Sequence, residues 1–202
     1  VRAEIRPQAR EAARKALGFP VTGRLLLVVG GSQGAAPLNR WVEGQLDELA
    51  ARGIHALCLT GPGGRDERLE RTGSVVHFLP FCHQMAAAYS AADLAVTRAG
   101  AGTLAELATC RTPAILVPLP HAADDHQTAN ALQAAAGGAA ILLPERELGR
   151  LGEVAFGGIT DNAALAAMRD ALALADAANH WEELARETVA LAQAHGRRVA
   201  PA

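Results

Sequence analysis

Two glycine-rich turns each follow a short apolar run and precede an amphipathic stretch of the sequence. They are GGSQGA at residues 30–35 and RAGAGT at residues 98–103. Glycines between a strand and a helix let backbone N–H groups approach an anion at the positive end of the helix. Two such turns on one sheet favour a diphosphate ligand, and the hydroxyl of Ser32 is a further donor. The first turn is neither a Gly-x-Gly-x-x-Gly motif nor a P-loop, which disfavours NAD and ATP. A purely structural turn with Ser32 exposed remains the alternative.

Glu106 follows Thr103 by three residues, and this spacing leaves two roles open. In a capping box, Glu106 would close the N-terminus of a helix that begins at Thr103. Alternatively, its carboxylate would accept two hydrogen bonds from a ribose diol, as acidic residues do in other nucleotide-binding folds. One carboxylate cannot fully satisfy both roles at once.

A polar cluster at residues 118–130 ends one predicted strand and begins a helix. His126, Gln127 and Asn130 share one face of that helix because they lie three and four residues apart. Amide and imidazole groups in this arrangement suit sugar hydroxyls, while Asp124 is a candidate N-cap. A metal site is an alternative that no standard ligand spacing supports. Its ligands would be His121, Asp124, Asp125 and His126.

The segment FCHQM at residues 81–85 follows another predicted strand. A flat nucleobase could lie against its apolar side chains while backbone groups bind the edge of the base. Cys82 is a weak candidate nucleophile because the sequence places no helper His or Asn beside it. We therefore interpret Cys82 as a partly buried structural thiol.

Apolar runs rich in β-branched residues alternate with amphipathic stretches, which predicts an α/β fold. We expect a Rossmann-like parallel six-stranded sheet with helices on both faces. The predicted strands span 25–29, 54–59, 75–78, 94–96, 114–117 and 140–142. The predicted helices span 66–71, 83–90, 103–109, 126–136, 163–174 and 178–194. Another helix opens at Pro37 and presents Leu38, Val42, Leu46 and Leu49 on one face.

The bulk composition fits one globular domain spanning residues 1–202. The net charge is -2, 3% of the residues are aromatic and Lys15 is the only lysine, so we expect no nucleic-acid partner. Three separated cysteines without a C-x-x-C pair indicate a reducing, cytoplasmic compartment. No apolar run approaches the roughly 20 residues that span a bilayer. Because the chain begins at Val1 without Met, we expect it to be a domain of a longer protein.

Several motifs resemble, in order and over nearly the whole chain, the C-terminal domain of the MurG family. This is a family of bacterial GT-B glycosyltransferases of peptidoglycan synthesis. The matching segments are VVGGSQGA at 28–35 with Asn39, MAAAY at 85–89 with AD at 92–93, RAGAGT at 98–103 with Glu106, PLP at 118–120, DDHQ at 124–127 and NA at 130–131.

The resemblance implies a hexosyltransferase that moves GlcNAc from UDP-GlcNAc, with inversion, to undecaprenyl-diphospho-N-acetylmuramoyl-pentapeptide, forming lipid II. It implies no cofactor and no essential metal, and a peripheral enzyme on the cytoplasmic face of the inner membrane. In the family, the N-terminal domain carries the acceptor pocket, the general base and the membrane-binding surface. We therefore expect this chain to bind the donor, to insert into no membrane and to be inactive alone. No catalytic residue is assigned within it.

The resemblance also implies roles for individual residues. Arg2 and Ser32 would face the donor, and the backbone of Cys82 would bind uracil. Backbone donors at Ala101 to Thr103 would hold the diphosphate, and Glu106 would hold the ribose. The GlcNAc hydroxyls would contact Gln127, with His126 and Asn130 nearby. The full predicted UDP-GlcNAc-binding set is Arg2, Ser32, Cys82, Ala101, Gly102, Thr103, Leu104, Ala105, Glu106, His126, Gln127 and Asn130.

Three residues depart from the family pattern. Gly102 and Cys82 stand where the family usually has a larger apolar and an aliphatic residue, but those positions contribute backbone groups. Arg111 replaces a helix-ending glycine, at a local cost of about 1 kcal/mol.

The resemblance further implies that the last helices, at about 161–195, pack toward the N-terminal domain, which would bury Trp181 and Leu184. Two alternative functions remain. One is a non-catalytic sugar-nucleotide-binding module, and the other is a GT-B-like UDP-GlcNAc epimerase.

Overall fold

The sheet is the centre of the computed structural model, which describes residues 4–31, 33–120 and 125–178. Its strands are β1 (Arg24–Val29), β2 (Ile54–Leu59), β3 (Glu67–Arg71), β4 (Ser74–Leu79), β5 (Leu94–Thr97), β6 (Ala114–Leu116) and β7 (Ala140–Leu142). The strand order is β3-β4-β2-β1-β5-β6-β7. Pairing is parallel throughout, apart from the antiparallel β3–β4 pair at one edge. The predicted α/β fold is confirmed, with a seven-stranded rather than a six-stranded sheet.

Helices cover both faces of this sheet, as the sequence predicts. The α-helices are α1 (Arg10–Ala16), α2 (Ala36–Gly44), α3 (Leu46–Ala51), α4 (Met85–Ala91), α5 (Ala101–Cys110), α6 (His126–Ala136), α7 (Leu151–Thr160) and α8 (Asn162–Ala178), and a 3₁₀ helix covers Glu145–Arg150. None of the helices in the described ranges is long and apolar enough to span a membrane.

The two hydrophobic cores follow from the two-residue period of the strands. In β1, Leu25 and Leu27 face one core, while Leu26 and Val28 face the other. Helices α1, α4, α5 and α6 contribute side chains to the first core, and α2, α3 and α7 contribute to the second. Because β1 is buried on both faces, its sequence is a continuous apolar run rather than an alternating one.

The prediction of a helix at residues 66–71 is wrong, because this segment is the edge strand β3. Arg71 pairs with Ser74 across a two-residue loop, in which Gly73 has a φ of 80°. The strand alternates between partly buried and exposed residues, and Leu69 packs against the second core. Its many charged residues are also typical of a solvent-exposed helix, which is why the sequence suggested one. In the strand, these charges protect an exposed sheet edge from further pairing.

Other helix boundaries refine the prediction. The helix that opens at Pro37 ends at Gly44, and α3 begins after Gln45. Helices α1 and α7 were not predicted. Three glycines lower the helix propensity of α7, whose burial of four apolar side chains offsets that cost. These side chains are Leu151, Ala155, Phe156 and Ile159.

Helix α8 packs within this domain over its described length. The Asp161 carboxylate accepts the Ala164 N–H at 2.9 Å, which makes Asp161 a helix-capping residue. Leu165 and Met168 join the second core and Leu172 joins the first. The second predicted C-terminal helix, with Trp181 and Leu184, lies outside the described residues, so its packing stays a prediction.

A buried carboxylate joins β1 to the start of β5. Asp93 Oδ2 accepts the Leu25 N–H and a guanidinium N–H of Arg14, each at 2.8 Å, while Arg24 donates to Oδ1 at 3.1 Å. The fully buried Arg14 also donates to the carbonyls of residues 20–23 at 2.9 to 3.4 Å. Each buried charge therefore has a partner, which a low-dielectric interior requires.

Arg111 ends α5 in the left-handed conformation, with φ 51° and ψ 44°. The Thr112 N–H bonds to the Leu107 carbonyl at 2.9 Å, which completes a tight C-terminal turn. The expected unfavourable C-cap is therefore present, because a side chain with a Cβ occupies a position that favours glycine.

We expect Arg111→Gly to raise the free energy of unfolding by about 1 kcal/mol, because glycine adopts this conformation without strain. Arg111→Ala is the matched control, since it removes the guanidinium but keeps the Cβ. Urea unfolding of the three chains measures the difference. An equal gain in Arg111→Ala would show that the charge, not the backbone, is responsible.

Candidate functional site

The candidate site lies where the direction of strand connections reverses. After β1 the chain proceeds to β2 and β4 on one side, and it then returns to β5 on the other side of β1. The loops that follow β1 and β5 therefore lead away from each other and leave a crevice at the carboxyl ends of the strands. In open parallel sheets, ligands bind at such a switch point.

A cleft of about 290 Å³ occupies this crevice. It is lined by the loops after β1, β2 and β4 and by the first turns of α5. Its lining residues are Val29, Gly31, Leu59, Gly61, Pro80, Phe81, Cys82, Met85, Tyr89, Gly102, Thr103 and Glu106. The structure thus brings together four of the predicted site residues, Cys82, Gly102, Thr103 and Glu106.

The first glycine turn borders the cleft and packs closely against the loop after β2. A Cβ on Gly34 would lie 2.3 Å from the Thr60 carbonyl oxygen, so close backbone packing requires glycine there. Gly31 has a φ of 85°, and a Cβ on it would meet no atom within 4 Å. The turn therefore presents Gly31 to the open cleft, whereas Ser32 and Arg2 lie outside the described residues.

The second glycine turn aims the N-terminus of α5 at the cleft. Gly100 is the N-cap, and the first helical bond joins the Leu104 N–H to the Gly100 carbonyl at 3.0 Å. The N–H groups of Ala101, Gly102 and Thr103 therefore have no acceptor within the helix. Together with the helix dipole, these donors favour an anion.

The capping-box interpretation of Thr103 and Glu106 is wrong in its geometry. Because α5 begins at Ala101, Thr103 is the third residue of the helix rather than its N-cap, and no side chain caps the helix. Glu106 lies one turn further on, 8% exposed, where it lines the cleft. The helix thus places a buried carboxylate in the same cleft as its own N-terminal turn.

Cys82 and Phe81 form the wall of the cleft after β4. Burial raises the pKa of the Cys82 thiol, which keeps it protonated and disfavours a role as nucleophile. Phe81 is 61% exposed, and its ring meets the His83 ring edge-on with centroids 4.8 Å apart. An exposed aromatic ring next to a buried thiol provides an apolar surface for a flat ring.

Gln127 and Asn130 connect α6 to the loops after β5 and β6. Gln127 Oε1 accepts the N–H of Ala99 at 3.3 Å and that of Leu119 at 3.0 Å. The Asn130 amide nitrogen donates to the Ala99 carbonyl at 3.0 Å. Both amides therefore position the second glycine turn, a role that their spacing did not indicate. His126 is exposed at the start of α6.

The remaining predicted residues face a different cavity. Ala101, Leu104 and Ala105 line, with Asn130, a cavity of about 470 Å³ that α5, α6 and α8 enclose. Most of its other lining residues are alanines and leucines. The side chains of the predicted set are therefore divided between the two sides of α5, although the backbone of Ala101 belongs to the N-terminal turn of that helix.

Arg98 is a positioning residue that sequence reasoning missed. It is 7% exposed, and it donates to the carbonyls of Val117 at 3.1 Å and Pro118 at 3.3 Å. It also forms an ion pair with Glu145. A charged residue at the end of a buried strand was the available signal, since such a charge needs partners. Arg98 joins the loops that follow β5, β6 and β7.

The described part of the chain contains no assembled metal site. No group of three His, Cys, Asp or Glu side chains there is placed to hold an ion. Of the four residues of the metal alternative, His121 and Asp124 lie outside that part. Asp125 has a φ of 53° and accepts the Thr128 hydroxyl at 2.7 Å.

A family profile identifies the fold independently. The glycosyltransferase family 28 C-terminal domain matches residues 25–184. This chain belongs to that family. The family match covers the sheet from the second residue of β1 onward and both glycine turns.

Relatives of this family 28 domain carry one shared name. A protein of Opitutus terrae is 42% identical over 207 residues, covering 100% of this chain and 55% of the relative. A protein of Salinibacter ruber is 39% identical over 196 residues, covering 87% of this chain and 53% of the relative. Both are named UDP-N-acetylglucosamine--N-acetylmuramyl-(pentapeptide) pyrophosphoryl-undecaprenol N-acetylglucosamine transferase. The chain spans about half the length of these curated relatives.

A solved structure agrees with these matches. The crystal structure of MurG from Acinetobacter baumannii superposes with a TM-score of 0.62 at 32% identity. The match covers 82% of this chain and 50% of the MurG chain. The predicted resemblance to MurG is therefore confirmed for this family 28 domain.

The positioning role of Gln127 is testable by stability. We expect Gln127→Leu to lower the free energy of unfolding by about 1 to 2 kcal/mol, because two backbone N–H groups lose their acceptor. Gln127→Glu is the matched control, since its carboxylate keeps both acceptor positions. Urea unfolding at neutral pH compares the three chains. Equal stability of all three would contradict the positioning role.

Proposed function

We propose that this domain binds UDP-GlcNAc in the cleft between β1 and β5, as the donor half of an N-acetylglucosaminyltransferase. The observation that carries the proposal is the N-terminus of α5, which opens into the same cleft that Cys82 and Glu106 line. A diphosphate at the three N–H groups would place a nucleoside on one side and a sugar on the other.

The nucleoside fits the side of the cleft formed by the loop after β4. The uracil would lie along the apolar surface of Phe81, Cys82 and Met85, with the Cys82 backbone at its edge. The ribose would lie over Glu106, whose two carboxylate oxygens suit the two hydroxyls of a diol. Arg2 and Ser32 remain proposed donors to the phosphates.

The sugar would lie toward α6. Gln127 uses its carbonyl oxygen to hold the two loops, so its amide nitrogen is turned away from those bonds and is the group we assign to GlcNAc hydroxyls. His126 and Asn130 stand within one turn of it on the same helix. The GlcNAc anomeric carbon would thereby face the open side of the cleft.

The proposed chemistry depends on stabilising the leaving group. When the bond between GlcNAc and UDP breaks, negative charge grows on the β-phosphate, and fixed backbone N–H groups with the α5 dipole oppose that charge without reorganising. Attack from the opposite face inverts the anomeric centre, and the attacking hydroxyl needs a base within hydrogen-bond reach. We assign that base, and the acceptor site, to the part of the relatives that this chain does not span.

The names of the same relatives support a proposal for the substrate of the complete protein. Their shared name specifies an N-acetylmuramyl-pentapeptide linked through pyrophosphate to undecaprenol. We propose that the complete protein transfers GlcNAc to this lipid-linked acceptor and forms lipid II at the cytoplasmic face of the inner membrane. The domain described here would contribute the donor alone, as a single unit of residues 1–202.

Calorimetry on the 202-residue chain tests donor binding. We expect UDP-GlcNAc and UDP to bind, and NAD and ATP to bind at least about ten-fold more weakly, because neither glycine turn fits their motifs. Glu106→Gln should weaken UDP binding by roughly ten-fold with little change in Tm, because charge-assisted hydrogen bonds to the ribose are lost.

Thr103→Ala is the matched control, since it alters a neighbouring side chain of the cleft but keeps the backbone N–H. Its UDP affinity should stay close to that of the unaltered chain. Tighter binding of NAD than of UDP would refute the proposed donor. A Glu106→Gln chain with unchanged affinity and lowered Tm would assign Glu106 to stability instead.

A further inference from the structure

A second polar cavity lies at the opposite end of the sheet from the cleft. It has a volume of about 190 Å³, and it is formed where α4 leads into β5 and α5 leads into β6. Its polar lining comes from Arg10, Ser90, Cys110, Arg111, Thr112 and Arg169. Three guanidinium groups from α1, the end of α5 and α8 thus surround one small space.

The charge at this cavity is not balanced by the neighbouring carboxylates. Asp93 is the buried carboxylate beside it, and it already bonds Arg14, Arg24 and the Leu25 N–H as well as Arg10. Three arginines around one carboxylate leave an excess of positive charge before Arg111 and Arg169 are counted. Two further carboxylates lie near Cys110, Glu106 on α5 and Asp176 on α8. Burial raises the pKa of the Cys110 thiol, and these two negative charges raise it further. Asp176 accepts the Thr109 hydroxyl at 2.9 Å.

The side chains of Arg111 and Arg169 make no hydrogen bond or ion pair with another residue in the described ranges, whereas the Arg111 N–H bonds the Ala108 carbonyl at 3.0 Å. Burial lowers the pKa of Arg169, and Arg10 and Arg24 lower it further against the opposing effect of Asp93. Arg111 keeps a left-handed backbone that glycine would adopt without strain.

We propose that this cavity binds a single phosphate group, held between the guanidinium groups of Arg111 and Arg169. Guanidinium forks match the oxygens of a phosphate in bidentate pairs, and an anion would relieve the repulsion among the arginines. The volume of about 190 Å³ admits inorganic phosphate or the phosphate end of a small metabolite, but not a whole nucleotide sugar. The site is separate from the donor cleft, since the two open at opposite ends of the strands.

NMR with inorganic phosphate tests the site on the full 202-residue chain. We expect saturable amide shifts at Ser90, Cys110 and Thr112, whether or not phosphate also shifts Gly31 and Gly102 in the donor cleft. Arg111→Gln and Arg169→Gln should each weaken this binding by roughly ten-fold, because each removes charge-assisted hydrogen bonds. Glutamine at position 111 keeps the backbone strain, so the comparison isolates the charge.

Arg146→Gln is the control, since Arg146 is an exposed arginine that does not line the cavity, and phosphate binding should be unchanged in it. Vesicles of phosphatidylglycerol, compared with vesicles of phosphatidylcholine, distinguish a lipid phosphate from a free one. If inorganic phosphate and phosphatidylglycerol vesicles shift the same amides, the phosphate site stands and a lipid headgroup is one source of its ligand. Phosphate shifts confined to Gly31 and Gly102, or an unchanged affinity in both arginine variants, would overturn the proposal.

Discussion

The Asp93 carboxylate fixes the two strands between which the cleft opens. It accepts the Leu25 N–H at 2.8 Å, while its own N–H bonds the Leu25 carbonyl at 2.8 Å, so β5 begins in register beside β1. The buried Arg14 compensates its charge and ties α1 to the same point. Since β1 and β5 are the strands where the connection direction reverses, this one buried ion pair sets the geometry of both glycine turns at the far ends of those strands.

The cleft relies on the backbone more than on charged side chains. Donors for an anion come from the first N–H groups of α5, and the turn that carries them is held by amide bonds to Gln127 and Asn130. In the proposed donor site, Gly102 and Cys82 would contribute backbone groups, so their departures from the family pattern would not change the groups that contact UDP-GlcNAc. Nearby, the buried Arg98 and the partly buried Glu145 form an ion pair that helps to hold three loops at fixed spacing.

The sequence predicted the features that local pattern determines. The helix of residues 126–136 has the predicted bounds and β1 begins one residue before its predicted start, because a helical period and burial on both faces leave clear signatures. The edge strand β3 was missed because charged residues suit both an exposed helix and an exposed strand edge. Thr103 was misplaced because a helix that begins two residues earlier turns an N-cap into the third helical position. The positioning bonds of Gln127 join residues up to 28 apart in sequence, so no local pattern indicates them.

A crystal structure of the 202-residue chain with UDP tests the central claim most directly. The account predicts the diphosphate within hydrogen-bond distance of the backbone nitrogens of Gly102 and Thr103, with the ribose over Glu106 and the uracil against Cys82. UDP bound in the alanine-lined cavity on the other side of α5, or bound with its phosphates away from the α5 N-terminus, would contradict it.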